Sequence, residues 1–361
     1  MLFYNLGTPT WAEAQAITCA LAQLKRDAAV LAHLDSPGIC VGGQVNVGRQ
    51  VDMSYCRTRG IPVFQRPVHG HMLCAGASQL ELQLVLARNH RLLLQSGSGR
   101  FRAALLPLLN TMRDFAVDAS YRPPNELVVH GRRIVSACLG EVDHCTVIAA
   151  HLALDFDPAL LAQALYLPSE DPSRMEELLS AHRTSLREEL GTLPSVGQFE
   201  RRLRSHLQSV VGGLRPGEID AELQEQMQTS AALAFASPRG CGGDTLRNGW
   251  NLDLGAGGEL IQCTYQAPGG FLRATCEWQD GRIARALLSG DFFCYPPGGL
   301  FRLEKELIGL TAEEVAMKMG GLYRKLGLVT PGIQSAQWVR VLTPASKQSV
   351  KKVCASMLKE E

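Results

Sequence analysis

The sequence predicts a two-domain α+β protein, and three observations support that prediction. The 361 residues exceed what one small hydrophobic core organises. Apolar residues recur at helical spacing in some segments and as short strand-like runs in others. The composition changes after Gly213, where a glycine-rich stretch leads into a hairpin-like pattern. We expect an N-terminal domain over residues 1–238, a linker over 239–258, a small domain over 259–345 and a charged tail over 346–361.

The bulk composition excludes several functional classes. It is ordinary for a soluble globular protein, with 46% hydrophobic and 20% charged residues, and the net charge of +1 disfavours a general nucleic-acid binder. No apolar run reaches the length of a membrane span, and the N-terminus lacks a signal-peptide pattern. The 11 cysteines are scattered without a C-x-x-C pair, which predicts no metal site and suits the reducing cytoplasm.

The N-terminal elements follow from local patterns. Residues 1–6 read as an edge strand, and Thr10 with Glu13 forms a capping box that opens a helix ending near Leu24. Over 79–86, four leucines occupy alternate positions with Glu81 and Gln83 on the opposite side, which predicts a strand. The same reasoning predicts strands at 29–34 and 39–44, and helices at 52–58, 100–115, 158–165, 173–179, 195–211 and 220–234.

A cluster of polar residues marks 123–157 as the candidate functional region of the chain. This stretch reads as two strands around a tight turn at His130-Gly131, followed by a third strand. Polar side chains crowd these apolar strands, which indicates a site lined by a sheet. They are Asn125, Arg132, Arg133 and Ser136.

The distal part reads as hairpins followed by helices. A turn at Pro268-Gly269-Gly270 and another at Asp280-Gly281 separate three alternating runs. The predicted strands are 260–265, 271–278 and 282–288, and the predicted helices are 300–308, 312–326 and a terminal one in 347–361.

These parts, from Asn5 to Thr343, resemble lipoate–protein ligase A in the biotin/lipoate protein ligase and octanoyltransferase superfamily. The resemblance is carried by five segments of this chain. They are Gly42-Gly43-Gln44, the loop Gln65 to His71, Asn125-Glu126 with Gly131 to Cys138, the strand Leu152 to Asp157, and the distal series Asp280 to Ile283, Ser289 to Phe293 and Arg302 to Gly309.

The resemblance implies both a fold and an activity. The fold is a class II ligase-like mixed β-sheet catalytic domain flanked by helices, with a small C-terminal α/β accessory domain. The activity is the ATP- and Mg²⁺-dependent conversion of lipoate or octanoate to an acyl-adenylate. The acyl group then passes to a lysine of a lipoyl-carrier domain. This implies a carrier protein and a small acyl substrate as partners, and neither nucleic acid nor a membrane.

The resemblance also assigns residues. Arg133 stands where the family has its catalytic lysine. The positions that match substrate- or nucleotide-binding segments are Arg66, His69, Gly70, His71, Asn125, Glu126, Ser136 and Ala137.

The chain departs from the family pattern at these same positions. The loop keeps Gly70 but has His69 and His71 in place of glycines, and Ser136 also replaces a glycine. Three alternatives therefore stand beside the ligase. The first is a non-catalytic homologue that binds a lipoyl group, an acyl-adenylate or a carrier domain. The second is an octanoyl or lipoyl transferase that uses Cys138 as its nucleophile. The third is a biotin-type ligase, although the glycine-rich loop of biotin ligases is not evident in this sequence.

Overall fold

A computed structural model gives the architecture of the chain. It describes residues 1–41, 47–65, 73–75, 78–95, 98–166, 171–234 and 247–343. The described residues divide into two compact units. The first unit contains most of the described residues up to residue 234. The second contains 247–343 together with described stretches within 45–52 and 165–171. Arg66, His69, Gly70, His71, the tripeptide at 42–44 and the tail lie outside the described residues.

The first 234 residues contain both strands and helices. The strands are Leu2–Asn5 (β1), Ala28–Leu34 (β2), Gly38–Val41 (β3), Val63–Gln65 (β4), Leu73–Ala75 (β5), Ser78–Ala87 (β6), Ala119–Arg122 (β7), Glu126–Val129 (β8), Arg132–Val142 (β9), Cys145–Asp155 (β10) and Arg215–Pro216 (β11). The α-helices are Trp11–Gln23 (α1), Val47–Gln50 (α2), Met53–Thr58 (α3), Ser98–Asp114 (α4), Pro158–Ala164 (α5), Pro172–His182 (α6), Leu186–Leu190 (α7), Val196–Val211 (α8) and Ala221–Ala234 (α9).

A mixed sheet forms the centre of the first unit. Its eight described strands run in the order β11-β1-β2-β6-β10-β9-β8-β7, and β4-β3-β5 form a second, small sheet. One face of the large sheet packs its leucines, Leu80 to Leu86 among them, against α4 and α8. The other face packs against α1 and α9, with Ile17, Leu21 and Leu223 in that core. The predicted α+β class is confirmed.

Strand β6 is buried on both faces, although its alternation is typical of a half-exposed strand. Glu81 and Gln83 are each 1% exposed. Helix α1 covers them and supplies hydrogen-bonding partners, since Gln15 Nε2 donates to Glu81 Oε1 at 3.1 Å and Thr18 donates to Gln83. The capping box that begins α1 at Thr10 is present as predicted. The strand prediction was therefore right, but the polar face is interior.

Both predicted two-residue turns are confirmed by backbone angles. His130 and Gly131 have φ of 47° and 78°, and Asp280 and Gly281 have φ of 51° and 77°. Two successive positive φ values are typical of the hairpin turn that matches strand twist. The first of these turns joins β8 to β9, which brings Glu126 back over the strand that carries Arg133.

The second unit is a four-stranded antiparallel meander covered by helices. Its strands are Arg247–Gly255 (β12), Gly258–Ala267 (β13), Gly270–Gln279 (β14) and Arg282–Phe292 (β15), in that order across the sheet. Its helices are Gly299–Leu307 (α10), Ala312–Leu326 (α11) and Ser335–Leu342 (α12). The three helices contribute to one core, where Trp338 is fully buried and meets Phe292 edge-on at 5.5 Å between ring centroids.

Two features of this unit differ from the sequence prediction. Within the predicted linker, 239–258, residues Arg247–Gly255 form β12 because they pair with β13. The high glycine content concealed a strand whose hairpin turn uses Gly255 and Gly257 at positive φ. Helix α12 was not predicted, because its eight residues are too few for a clear periodic pattern. Among the described residues, no helix is both long and apolar enough to cross a membrane.

Candidate functional site

A row of polar side chains crosses the large sheet on the face covered by α1. Strand register pairs Glu81 with His151, His151 with Ser136, and Ser136 with Glu126. Residues directly opposite each other in antiparallel strands project from the same face. The row therefore runs from the buried centre of the sheet at Glu81, across β10 and β9, to β8, which lies next to the edge strand β7.

Arg133 lies at the outer end of this row in a compact charged cluster. Arg133 Nη1 donates to Glu126 Oε1 at 3.1 Å, and Arg122 Nε donates to Glu126 Oε2 at 2.8 Å. We call these three residues the arginine cluster. Its side chains are 18–23% exposed, so the charges are partly withdrawn from water but reachable. Two arginines and one glutamate leave one excess positive charge.

The backbone holds Arg133 in a defined position. The β8–β9 register shifts between Leu127 and Val128, which pair with Val135 and Arg133, so Ile134 forms a bulge. Bulges re-aim side chains and are enriched beside active sites. On its other side, the carbonyl of Arg133 accepts a hydrogen bond from the amide of Thr184 at 3.0 Å. The guanidinium is thus fixed by both its backbone and its ion pair.

The cluster also sets the ionisation of Glu126. Burial alone raises the pKa of this carboxyl, but attraction to Arg133 and Arg122 and the hydrogen bonds from both outweigh burial. The net effect is a pKa below the ordinary glutamate value. Glu126 is therefore a carboxylate at neutral pH, and it orients the two guanidinium groups instead of exchanging protons.

Asn125 and Ala137, both predicted as binding residues, are paired with each other. The amide of Ala137 donates to the carbonyl of Asn125 at 2.9 Å, and Asn125 Nδ2 donates to the carbonyl of Ala137. These bonds close the end of the β8–β9 hairpin beside Ser136. In the structure, Asn125 is an ordering residue for the strand that carries Ser136 and Arg133.

Arg132, the neighbour of Arg133, belongs to a different environment. Its guanidinium pairs with Glu188 and with Glu189 Oε1, the latter at 2.9 Å, at the start of the short helix α7. Thr184 Oγ1 donates to the same Glu189 oxygen at 2.6 Å. Arg132 thus ties β9 to α7, which makes it a matched control for Arg133.

The predicted alternative nucleophile, Cys138, lies in the apolar core. Cys138 is 6% exposed and belongs to the hydrophobic core cluster that contains Ile17, Val85 and Val147. Strand register pairs it with Ala149, one row inward from Ser136. These surroundings resemble those of a structural cysteine more than those of a reactive one.

We predict that Cys138→Ala retains, within about twofold, the acyl-transfer activity that the resemblance implies, because the side chain lies in the apolar core. The free energy of unfolding should fall by about 1 kcal/mol, the typical cost of one core substitution. Urea unfolding and the rate of carrier acylation measure the two effects. Loss of activity in a folded Cys138→Ala variant would restore the cysteine as nucleophile.

Two residues of the row were missed by sequence analysis. Glu81 is 1% and His151 6% exposed, and Glu81 Oε1 lies 3.6 Å from His151 Nδ1. In the sequence, the alternation places Glu81 on the polar face of a predicted strand, and His151 has no spacing to other residues that indicates a site. The partnership depends on strand register between residues distant in the chain, which a single sequence does not display.

The described residues fit an anionic ligand better than a metal ion. Among them, no group of three or more histidine, cysteine, aspartate or glutamate side chains is placed to hold a metal. The arginine cluster, by contrast, offers an excess positive charge on a partly dry surface, where charge-assisted hydrogen bonds to a carboxylate or phosphate are strong.

Comparison with known proteins identifies the family. The model of the lipoyl protein ligase A/B catalytic domain matches residues 10–208. Octanoyltransferase LipM of Kyrpidia tusciae is 24% identical over 228 residues, which cover 56% of this chain and 82% of that protein. Lipoate-protein ligase A subunit 2 of Thermoplasma acidophilum is 31% identical over 78 residues, which cover 22% of this chain and 82% of that subunit.

Solved structures share the fold at low sequence identity. The bipartite lipoate protein ligase of T. acidophilum aligns with a TM-score of 0.56 at 14% identity, covering 64% of this chain and 91% of that one. LipL1 of P. falciparum, solved with lipoate, aligns with a TM-score of 0.56 at 12% identity, covering 91% of this chain and 95% of that one. With more than half of its length matched by the family model, the chain belongs to the lipoyl protein ligase A/B catalytic domain family.

Proposed function

We propose that the protein activates lipoate or octanoate with ATP and transfers the acyl group to a lysine of a lipoyl-carrier domain. The observation that carries this proposal is the arginine cluster, in which Glu126 holds the Arg133 guanidinium at 3.1 Å. By resemblance, Arg133 occupies the position of the family's catalytic lysine. The remaining predicted binding residues, Arg66, His69, Gly70 and His71, are proposed to complete the site.

The chemistry of activation requires what the cluster offers. An acyl-adenylate is an anionic mixed anhydride, so a cation that reaches its carbonyl and phosphate oxygens stabilises the charge that develops during its formation and attack. A guanidinium supplies two parallel donors in a plane. Glu126 keeps that plane fixed, and Arg122 keeps the cluster cationic, which suits a ligand with one net negative charge.

ATP and Mg²⁺ enter this proposal with different support. The excess positive charge of the cluster fits a phosphate group. Mg²⁺ is usually bound through one or two carboxylates together with substrate phosphates, so it needs no dedicated protein cage. We propose that the ion arrives with ATP and that Glu126, already engaged by two arginines, is not its ligand.

The comparisons support this class of reaction. Structures with the same fold include lipoate-protein ligase A bound with ATP and a bipartite ligase described together with its E2 lipoyl domain. The similarity to octanoyltransferase LipM favours a second candidate, in which the octanoyl group comes from an acyl thioester without ATP. Both candidates use the arginine cluster to hold a polarised acyl group.

The experiment is an intact-mass measurement on a lipoyl-carrier domain. The full-length protein is incubated with the carrier and either ATP, Mg²⁺ and octanoate or lipoate, or an octanoyl thioester without ATP. We expect the carrier to gain one acyl group in the first arm. A carrier with its target lysine replaced by arginine is the control.

Each other result has a defined meaning. Acylation confined to the thioester arm would replace the ligase by the octanoyltransferase. Thermal stabilisation of the protein by the acid and ATP, without any acylated carrier, would instead support a binding homologue. A protein that neither binds nor acylates in either arm would contradict the proposed function.

A further inference from the structure

Arg183 lies beside Arg133, on the side of β9 that faces away from β8. It follows helix α6 and forms an isolated parallel bridge with Arg133, whose partner on β8 is Val128. The amide of the next residue, Thr184, donates to the carbonyl of Arg133 at 3.0 Å. Residues paired in register on neighbouring strands lie about 4.8 Å apart and share the same phase of the pleat. Arg183 therefore projects from the sheet face that carries Arg133 and Glu126.

The course of β10 makes room for this residue. In the described chain, the last pair between β10 and β9 joins Leu152 to Val135. Strand β10 then bulges between Ala153 and Asp155, where its register with β6 shifts. The segment that follows α6 takes the place beside β9 that β10 leaves. Bulges are enriched beside active sites, and this one brings a further guanidinium next to the arginine cluster.

The guanidinium of Arg183 stacks on the ring of Phe156. Its central carbon lies 5.3 Å from the ring centroid, and both residues are partly exposed. Stacking uses the flat face of a guanidinium, whereas hydrogen bonds to an oxyanion use the N–H groups at its edge. The amide of Phe156 donates to Asp155 Oδ1 at 2.9 Å, which orders the end of β10. Phe156 thus orients the plane of Arg183 in a way that is compatible with a bound anion.

Two arginines in register on neighbouring strands are an unfavourable arrangement for stability, because like charges at such positions repel. Glu126 accepts from Arg133 at 3.1 Å and from Arg122 at 2.8 Å. This carboxylate lies on the β8 side of Arg133, and Arg183 lies on the other side. A phosphate between Arg133 and Arg183 would offset their repulsion and accept charge-assisted hydrogen bonds from both.

We propose that Arg183 is a specificity-determining residue that binds the phosphate of the acyl-adenylate, an inference that rests on the proposed function. Arg133 contacts the carbonyl oxygen of the acyl group and one phosphate oxygen. Arg183 binds the other nonbridging oxygen of the same phosphate. An acyl thioester has a neutral sulfur at this position, so the contact with Arg183 favours an acyl-adenylate as the acyl donor.

The test measures the binding of two ligands to the full-length protein by calorimetry. One ligand is an N-octanoyl sulfamate ester of adenosine, a non-hydrolysable acyl-adenylate analogue with one negative charge. The other is its N-methyl form, which has no acidic proton and is neutral. We expect Arg183→Gln to bind the anionic analogue at least about 10-fold more weakly than the wild type, the typical loss for one charge-assisted contact. Its affinity for the neutral analogue should stay within about twofold.

Two further variants separate ligand binding from folding. Arg183→Lys should recover part of the lost affinity, because a lysine supplies the charge without the planar fork. Arg187→Gln is the matched control, since the Arg187 side chain is 52% exposed and pairs with Asp155 at 2.8 Å. We expect this control to bind both analogues as the wild type does. Thermal unfolding shows whether each variant is folded.

A double-mutant cycle tests whether Arg133 and Arg183 contact the same phosphate. Substitutions of residues that share a partner are not additive, whereas those of independent residues are. The loss of affinity in the double variant, Arg133→Ala with Arg183→Gln, should therefore differ by at least about threefold from the product of the two single losses. A simple product would contradict the shared contact.

The outcomes distinguish this inference from the proposed function. Wild-type affinity of Arg183→Gln for the anionic analogue, or equal losses with both analogues, would overturn the role of Arg183. If the wild type still acylates the carrier with ATP, the proposed function stands without it. A wild type that binds neither analogue and acylates no carrier would contradict the proposed function. A loss confined to the anionic analogue, in a protein that never acylates a carrier with ATP, would support the contact and contradict the ligase.

Discussion

Replacing Arg133 by alanine should lower the rate of carrier acylation by about 100-fold to 1000-fold, the range found when one donor to a developing oxyanion is removed. This corresponds to about 3–4 kcal/mol of activation free energy. Arg133 is the guanidinium that Glu126 fixes at 3.1 Å on the bulged strand, and in our account it contacts the acyl-adenylate. The initial rate of carrier mass gain measures the effect.

The neighbouring arginine provides the control for this prediction. Arg132→Ala removes a cation of equal charge one residue away, but its partners are Glu188 and Glu189 at α7. We expect its acylation rate to stay within a few-fold of the wild type. Arg133→Lys should recover part of the lost rate, because a lysine supplies charge without the planar fork. Equal losses in Arg132→Ala and Arg133→Ala would show a general charge effect and contradict the assigned role.

The second large effect concerns Glu126, whose replacement should destabilise the fold. Glu126→Gln leaves Arg122 and Arg133 without their shared carboxylate at a site where their side chains are 23% and 18% exposed. Breaking an exposed pair costs little and breaking a buried one costs about 3–5 kcal/mol, so a partly exposed site should cost about 2 kcal/mol. Urea unfolding at pH 7 gives the difference.

The stability contributed by Glu126 should depend on pH in one direction. Because its folded-state pKa lies below the ordinary value, its contribution is fully present above the unfolded pKa of about 4.3 and is lost as pH falls through the folded pKa. The difference between wild type and Glu126→Gln should therefore shrink below about pH 4. A difference that stays constant down to pH 2 would refute the assignment.

Glu141 provides a matched control for this stability measurement. Its pair with Arg88 is long, at 3.5 Å, and both side chains are more than 60% exposed, at 67% and 63%. Glu141 lies on strand β9, and Glu141→Gln removes one negative charge, as Glu126→Gln does. We expect little change in the free energy of unfolding at any pH, because an exposed ion pair contributes little to stability. A loss as large as that of Glu126→Gln would mean that net charge, and not the arginine cluster, determines the effect.

Local sequence patterns predicted most of the helices, strands and turns, because these elements are determined largely by residues that are close in sequence. The capping box at Thr10, the leucine alternation over 79–86 and the two turns at His130-Gly131 and Asp280-Gly281 all act within a few residues, and all are confirmed. Strand β12 was not predicted, because its glycines are typical of a loop. Its structure is determined by the pairing of Arg247–Gly255 with β13, which a local pattern does not show.

The site was only partly visible in the sequence because its geometry is nonlocal. Arg133 and Glu126 lie seven residues apart on one hairpin, so their proximity followed from the turn between them. Glu81 and His151 meet only through the register of β6 and β10. The sequence also does not show that α1 covers this face and turns a polar alternation into a buried row. Arg66, His69, Gly70 and His71 stay predictions.

The most direct test of the central claim is the binding of a non-hydrolysable octanoyl-adenylate analogue, measured by calorimetry. If the anionic acyl donor binds at the arginine cluster, the wild-type protein and Arg132→Ala should bind the analogue equally well. Arg133→Ala should bind it at least about 10-fold more weakly, as expected for the loss of one charge-assisted contact. Equal affinity in all three proteins, or no binding by the wild type, would contradict the assignment of this site.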